Sequence, residues 1–130
     1  MTDYQEFCGS KLRQDETIYE AAEERLRRKL GLTGRLTYRG LEFLQTKENG
    51  ELIMHHHLHI FLAEDIKGKN KVGAWIPIEP FQPEKPMPHI VQTLKMALTP
   101  GFNIAVTDFI KEGDRYTGYV THSYTHFNNP

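Results

Sequence analysis

The chain has 130 residues, 38% of them apolar and 25% charged, with 16 Lys and Arg against 17 Asp and Glu and a formal net charge of -1. That length and balance suit one compact domain over residues 1–130 and exclude a disordered tail. So even a charge sets up no global field towards nucleic acid or membrane, and no stretch is apolar for long enough to span a bilayer, so neither partner is expected. The single Cys8 cannot form an internal disulfide. Together with a start that lacks the basic and apolar runs of a signal peptide, it leads to the expectation of a cytoplasmic protein.

Residues 1–15 read as a short lead and a loop, with turn material at Gly9-Ser10 and Gln14-Asp15. Thr17 followed by Glu20 has the form of a capping box and predicts a helix start. Ile18, Ala21, Ala22, Leu26 and Leu30 recur at helical spacing, and Gly31 is suited to end the helix in a left-handed conformation. The pattern then changes to strands. Residues 36–45 and 52–63 flank a Lys47-Glu48-Asn49-Gly50 turn whose Asn-Gly is a hairpin signal, and Leu52, Met54, Leu58, Ile60 and Leu62 share one face of the second strand. Residues 72–78 read as a further strand. The segment 77–88 holds five of the seven prolines and reads as an extended loop. A second helix is predicted over 89–98, with Ile90, Val91, Leu94 and Leu98 facing inward, and Pro100-Gly101 breaks it. Residues 102–110 and 116–124 close the chain as a hairpin around Glu112-Gly113-Asp114. The order predicts an α+β fold without a linker between domains.

Residues 9–32, GSKLRQDETIYEAAEERLRRKLGL, carry the functional argument. They resemble the box of the Nudix superfamily, MutT-like members in particular, in framing: Glu16 falls on the first glutamate of the family pattern, and Leu26, Gly31 and Leu32 on its aliphatic and glycine positions. Downstream, Ala74-Trp75-Ile76-Pro77-Ile78 looks like the family's W-x-P segment, and the closing hairpin is similar to that of some MutT-like proteins. The resemblance implies a mixed β-sheet with the box helix and one further helix. It also implies strands ahead of the box, where this sequence has eight residues before Gly9. A second copy docking there, a shifted C-terminal hairpin, or a remnant of a longer domain would each account for that difference. The expectation drawn is a homodimer.

The chemistry of the box departs from the family. Ser10 stands for a glycine and Glu24 for the arginine, leaving Glu16 and Glu24 as box remnants of like charge. The three positions at which the resemblance implies metal-binding glutamates are Arg25, Arg28 and Lys29. At i, i+3, i+4 spacing these share one helix face. Magnesium takes oxygen ligands, and cationic side chains offer it no lone pair. The same side chains can donate to phosphate, arginine with forked geometry. Glu23 with Arg27 and Glu24 with Arg28 are i, i+4 pairs worth ~0.3–0.5 kcal/mol each. These pairs account for part of the charge run as a solvated face, but the like-charge pair Arg25 and Lys29 is not explained that way.

His55, His57 and His59 alternate along one strand face, ~6.5–7 Å between neighbours. Two of them could hold a metal, but nothing in the sequence supplies further ligands at a diagnostic spacing. The reading preferred is a cleft or subunit contact, with His57, His59 and Trp75 as candidates to meet a base. No Ser-His-Asp signature, P-loop or dinucleotide fingerprint is present, and Cys8 has no evident base.

The expected function is therefore a MutT-type Nudix-like domain for a nucleoside di- or triphosphate or related pyrophosphate compound, with hydrolysis lost or impaired and no cofactor. One alternative is an active magnesium-dependent pyrophosphohydrolase using relocated carboxylates among Glu16, Glu20, Glu23 and Glu24. The other is a non-catalytic dimerisation or interaction module.

Overall fold

The computed structural model describes residues 14–70 and 89–127, and these form two compact units. The strand and loop expected over 72–88, and Trp75 with them, lie outside the described residues.

The first unit takes residues up to Thr37 together with Ala63 onward. Its helix α1 spans Ile18–Arg25. The capping box forms as the sequence predicts: the Glu20 amide donates to Thr17 Oγ1 at 3.1 Å, and the Thr17 amide donates to Glu20 Oε1 at 2.9 Å. Two of the orphan donors of the first turn are satisfied this way. From Leu26 to Leu30 the helix widens into a π-turn. Gly31 then ends it at φ 73°, its amide shared between the carbonyls of Arg27 and Leu26. Ile18, Ala21, Ala22, Leu26 and Leu30 are half-buried, as their spacing predicts, although none is fully enclosed.

Strand β1 runs from Leu32 to Glu48 and β2 from Glu51 to Gly68, both longer than the sequence suggests. Ion pairs from Arg35 to Glu64, 3.2 Å, and to Asp65, 3.8 Å, join the two strands within the first unit. Polar side chains of this kind hide a strand from hydrophobic periodicity, which explains the short prediction.

The second unit takes residues 38–62 and those from Pro88 onward. Its sheet has the order β2-β1-β3-β4, with β3 at Phe102–Glu112 and β4 at Arg115–Phe127. β1 is parallel to β3, from Gly40 beside Asn103 to Glu48 beside Lys111. β3 and β4 are antiparallel, with register shifts after Val106 and after Ile110. The sheet is therefore mixed. Asn49 at φ 53° and Gly50 at φ 80° make the two-residue turn that returns β2 alongside β1. A Cβ on Gly40 would lie 2.0 Å from the Asn103 carbonyl oxygen, so only glycine lets the two parallel strands approach there.

Helix α2, Ile90–Leu98, covers this sheet. Its buried residues are Ile90, Thr93 and Met96; of the four the sequence suggests, Ile90 is buried and Leu94 half-buried, whereas Val91 and Leu98 are 58% and 41% exposed. Ile60, Met96 and Ala105 form the apolar core, with Ala97 and Tyr124 packed on it. Leu52 and Met54, which alternate with Ile60 on one face of the strand, are about half exposed near the hairpin tip. Alternation identifies a common face but not how far the covering layer reaches along it.

Candidate functional site

The box helix places Glu24, Arg25, Arg28 and Lys29 on its last turns. Glu24 accepts from Arg28 Nε at 2.6 Å and lies 3.8 Å from Arg27 Nη2. The remnant glutamate thus pairs within its own helix. Arg25 is half-buried, and its Nε is enclosed without an acceptor among the described residues. Lys29 is exposed. The π-turn changes how these side chains group. Its wider winding weakens the i, i+3 relation of an α-helix between Arg25 and Arg28, and Arg28 pairs with Glu24 instead. Arg25 and Lys29 remain as a cationic pair whose charge no ion pair among the described residues offsets.

Cations in the last turn also complement the negative end of the helix dipole, which gives Arg28 and Lys29 a structural reason to be basic. It does not give one for enclosing a donor of Arg25 without a partner.

The adjoining side of the helix is acidic. Glu20, Glu23, Glu24 and Arg27, with Thr33 and Gly34 of β1, line an open groove of about 280 Å³. The hydrogen bond from the Thr17 backbone amide, and then the Thr17 side chain, hold the Glu20 carboxyl below its ordinary range. Glu20 is thereby committed to its cap. Among the described residues no group of three or more His, Cys, Asp or Glu is arranged to hold a metal ion. Glu16 sits in the bend just ahead of α1.

The histidines of β2 belong to the second unit and fall into two sets. His55 and His57 are exposed, their rings 4.8 Å apart edge to face, and Phe43 of β1 packs beside them with its ring 4.8 Å from that of His57. His59 is bonded instead through Nδ1 to the Tyr38 hydroxyl at 2.8 Å, and Tyr38 also stacks on Phe102. His57 and His59, proposed together from alternation, therefore keep different company.

The second unit also encloses polar groups that sequence reasoning missed. Glu42 is 0% exposed; Thr93 of α2 donates to its Oε1 at 2.9 Å and Thr107 of β3 to its Oε2 at 3.2 Å. Burial pushes its carboxyl above the ordinary range, and the two hydroxyls oppose that only in part. His89, 7% exposed, packs against Phe109, its Nδ1 has no hydrogen-bond partner among the described residues, and burial lowers it to about 4. Asn103 donates to the carbonyls of Arg39, Met96 and Thr99, and accepts from the Tyr124 hydroxyl at 2.9 Å and from His126 Nδ1 at 2.8 Å. Lys47 closes on Asp108 at 2.8 Å. Glu42 alternates with Gly40, Leu44 and Thr46, and the odd-numbered neighbours Leu41 and Phe43 look the more apolar set. The sequence signal pointed to the wrong face, because small polar side chains of β3 and α2 receive the carboxyl.

The fold these elements define is a mixed sheet with a capped, glycine-terminated helix ahead of it and a second helix on the sheet, the Nudix-like plan. A crystal structure of the mutator MutT protein from Bacillus halodurans is similar to this chain with a TM-score of 0.64, at 14% identity, over 88% of this chain and 80% of that one. At that identity the likeness is one of fold. No family model matches the sequence, and no curated protein matches it.

Proposed function

We propose that this chain is a Nudix-fold domain that binds a small phosphate-containing ligand on the basic turns of its first helix and does not hydrolyse it. The ligand class is a nucleoside di- or triphosphate or a related pyrophosphate compound. The observation that carries the reading is Arg25. Its Nε is enclosed with no acceptor among the described residues, at a helix position where the Nudix resemblance implies a metal-binding glutamate, with Lys29 one turn beyond. A guanidinium donates in a planar fork suited to phosphate and has no lone pair for magnesium. The residues present do not fit the family's metal. The single Cys8 supports placing the protein in the reducing cytoplasm.

Relocated carboxylates would need several oxygen ligands on one ion. The acidic groove contains three glutamates, but Glu20 is held in its cap and Glu24 is paired with Arg28. Neither commitment favours a hydrolytic reading.

The test is a thermal-shift panel of ADP, ATP, ADP-ribose and inorganic pyrophosphate, run beside a magnesium-dependent hydrolysis assay that separates substrates from products by anion-exchange chromatography. A ligand at a hundredfold its Kd stabilises by about 2.7 kcal/mol, roughly 8–12 °C in a domain of this size. At least one member should shift the native chain on that scale and fail to shift Arg25→Glu. Hydrolysis of any member above the blank by the native chain, or no shift with any member, would refute the reading.

A further inference from the structure

β2 is an edge of the described sheet, with β1 as its hydrogen-bonded neighbour. Every residue from Glu51 to His57 is exposed, including Leu52, Ile53 and Met54 at 54%, 46% and 49%. From Leu52 to Ala63 the sequence LIMHHHLHIFLA has no Lys, Arg, Asp or Glu, no proline and no glycine. Proteins ordinarily protect an open edge with such residues, since its unpaired N–H and C=O groups are a template for another strand. Here the protection is lacking over twelve successive positions, and the only polar side chains among them are imidazoles.

Two of those imidazoles, His55 and His57, stand side by side. The rings of His55 and His57 stand 4.8 Å apart on the exposed strand. Zinc sites of structural type take four ligands, and among the described residues this chain assembles no group of even three. A partner that brings two more imidazoles to the same face would complete the set.

We propose that β2 pairs antiparallel with β2 of a second copy about a twofold axis at His56, and that His55 and His57 of both copies form an interfacial site for zinc or a similar divalent transition-metal ion. In that register His55 lies opposite the second copy's His57, and the reverse contact repeats it, as an isologous interface requires. Directly opposed residues share a face at Cα separations of about 4.5–5.5 Å, and successive ones on that face are ~6.5–7 Å apart. Four imidazoles then occupy one compact patch. The opposite face sets Met54 against Leu58 and Leu52 against Ile60, so the apolar side chains exposed near the tip are covered. A slip of one residue would mix imidazoles with aliphatics on both faces. An edge contact of this kind buries little surface, so the ion is the main source of affinity and assembly follows it.

The test uses the full chain in sedimentation velocity and zinc titration calorimetry. In EDTA the mass should be that of one chain, 15.1 kDa. With ZnCl2 it should double, at one zinc per two chains. His55→Asn combined with His57→Asn should remain a single chain in zinc. Ile53→Lys keeps both histidines but puts a charge on the edge, and it too should fail to dimerise. His56→Asn, on the other face, should dimerise as the native chain does. All these positions are exposed, and far-ultraviolet circular dichroism confirms that each variant is folded. Unchanged mass with zinc, a zinc bound to each single chain, or a doubled mass that survives the double substitution would overturn the proposal. Nucleotide thermal shifts in EDTA should be the same in the double variant, so the outcome is separate from that of the phosphate site.

Discussion

Glu42 and His89 put opposite pH dependences into the same unit. Thr93 has one hydroxyl hydrogen and two acceptors in reach, Glu42 Oε1 at 2.9 Å and the His89 carbonyl at 3.3 Å. A protonated Glu42 relieves that competition by donating to Thr93, which then donates to His89. This agrees with the upward displacement of its carboxyl by burial. A carboxyl raised in the folded state gives its stabilisation below the ordinary carboxyl range and loses it as pH rises through the folded value. Glu42→Gln should therefore melt above the native protein at pH 7.5, with the gap closing towards pH 4.5; a gap that widens on acidification would contradict this. His89 has the reverse sign. Its folded value near 4 lies below the ordinary 6.5, so stability present above 6.5 is lost as pH falls towards 4. The loss is on the order of 3 kcal/mol at most. His89→Leu should remove most of the acid slope between those limits, as read by urea denaturation at pH 7 and pH 5.

At the scale of elements, what could be read from the sequence was whatever local chemistry decides alone. Thr17 with Glu20, Gly31 as helix terminator and Asn49-Gly50 as hairpin turn each act within a few residues, and each took its expected conformation. Which side of β1 is covered was not readable in that way. It depends on α2 bringing Thr93 over Glu42, a contact between residues far apart in sequence. The inward set of α2 was right for Ile90 and wrong for Val91 and Leu98 for the same reason, since Val91 and Thr93 differ in exposure through what lies beneath them. The π-turn is invisible to a periodicity argument that assumes one winding throughout, and it loosens the i, i+3 relation expected between Arg25 and Arg28. Gly40 shows how strictly the parallel pairing of β1 and β3 is built. Gly40→Ala meets backbone at 2.0 Å and should cost more than about 2 kcal/mol, lowering Tm by roughly 6 °C or more. An unchanged Tm would mean the two strands do not approach there as described. Thr17→Ala removes one cap acceptor and should cost about 1 kcal/mol, seen as a smaller fall in Tm.

For the whole molecule, the chain has a Nudix-like plan and carries Arg25, Arg28 and Lys29 at the positions where the sequence resemblance implies metal-binding glutamates. The fold was legible from the order of elements and from the framing of residues 9–32, because spacing survives even when side chains change. Of the proposed phosphate site, the sequence carried the reversal of sign at residues 25, 28 and 29, and not the winding of the turns that hold them. Magnesium separates the two chemistries. A phosphate held by a metal is lost with the metal, whereas a phosphate held by Arg25 and Lys29 is not. Binding of the best ligand from the nucleotide panel, measured by calorimetry in EDTA and again in magnesium, is therefore the most direct measurement. Affinity in EDTA equal to or above that in magnesium is the expected result. Affinity that appears only with magnesium, accompanied by release of phosphate, would contradict the account.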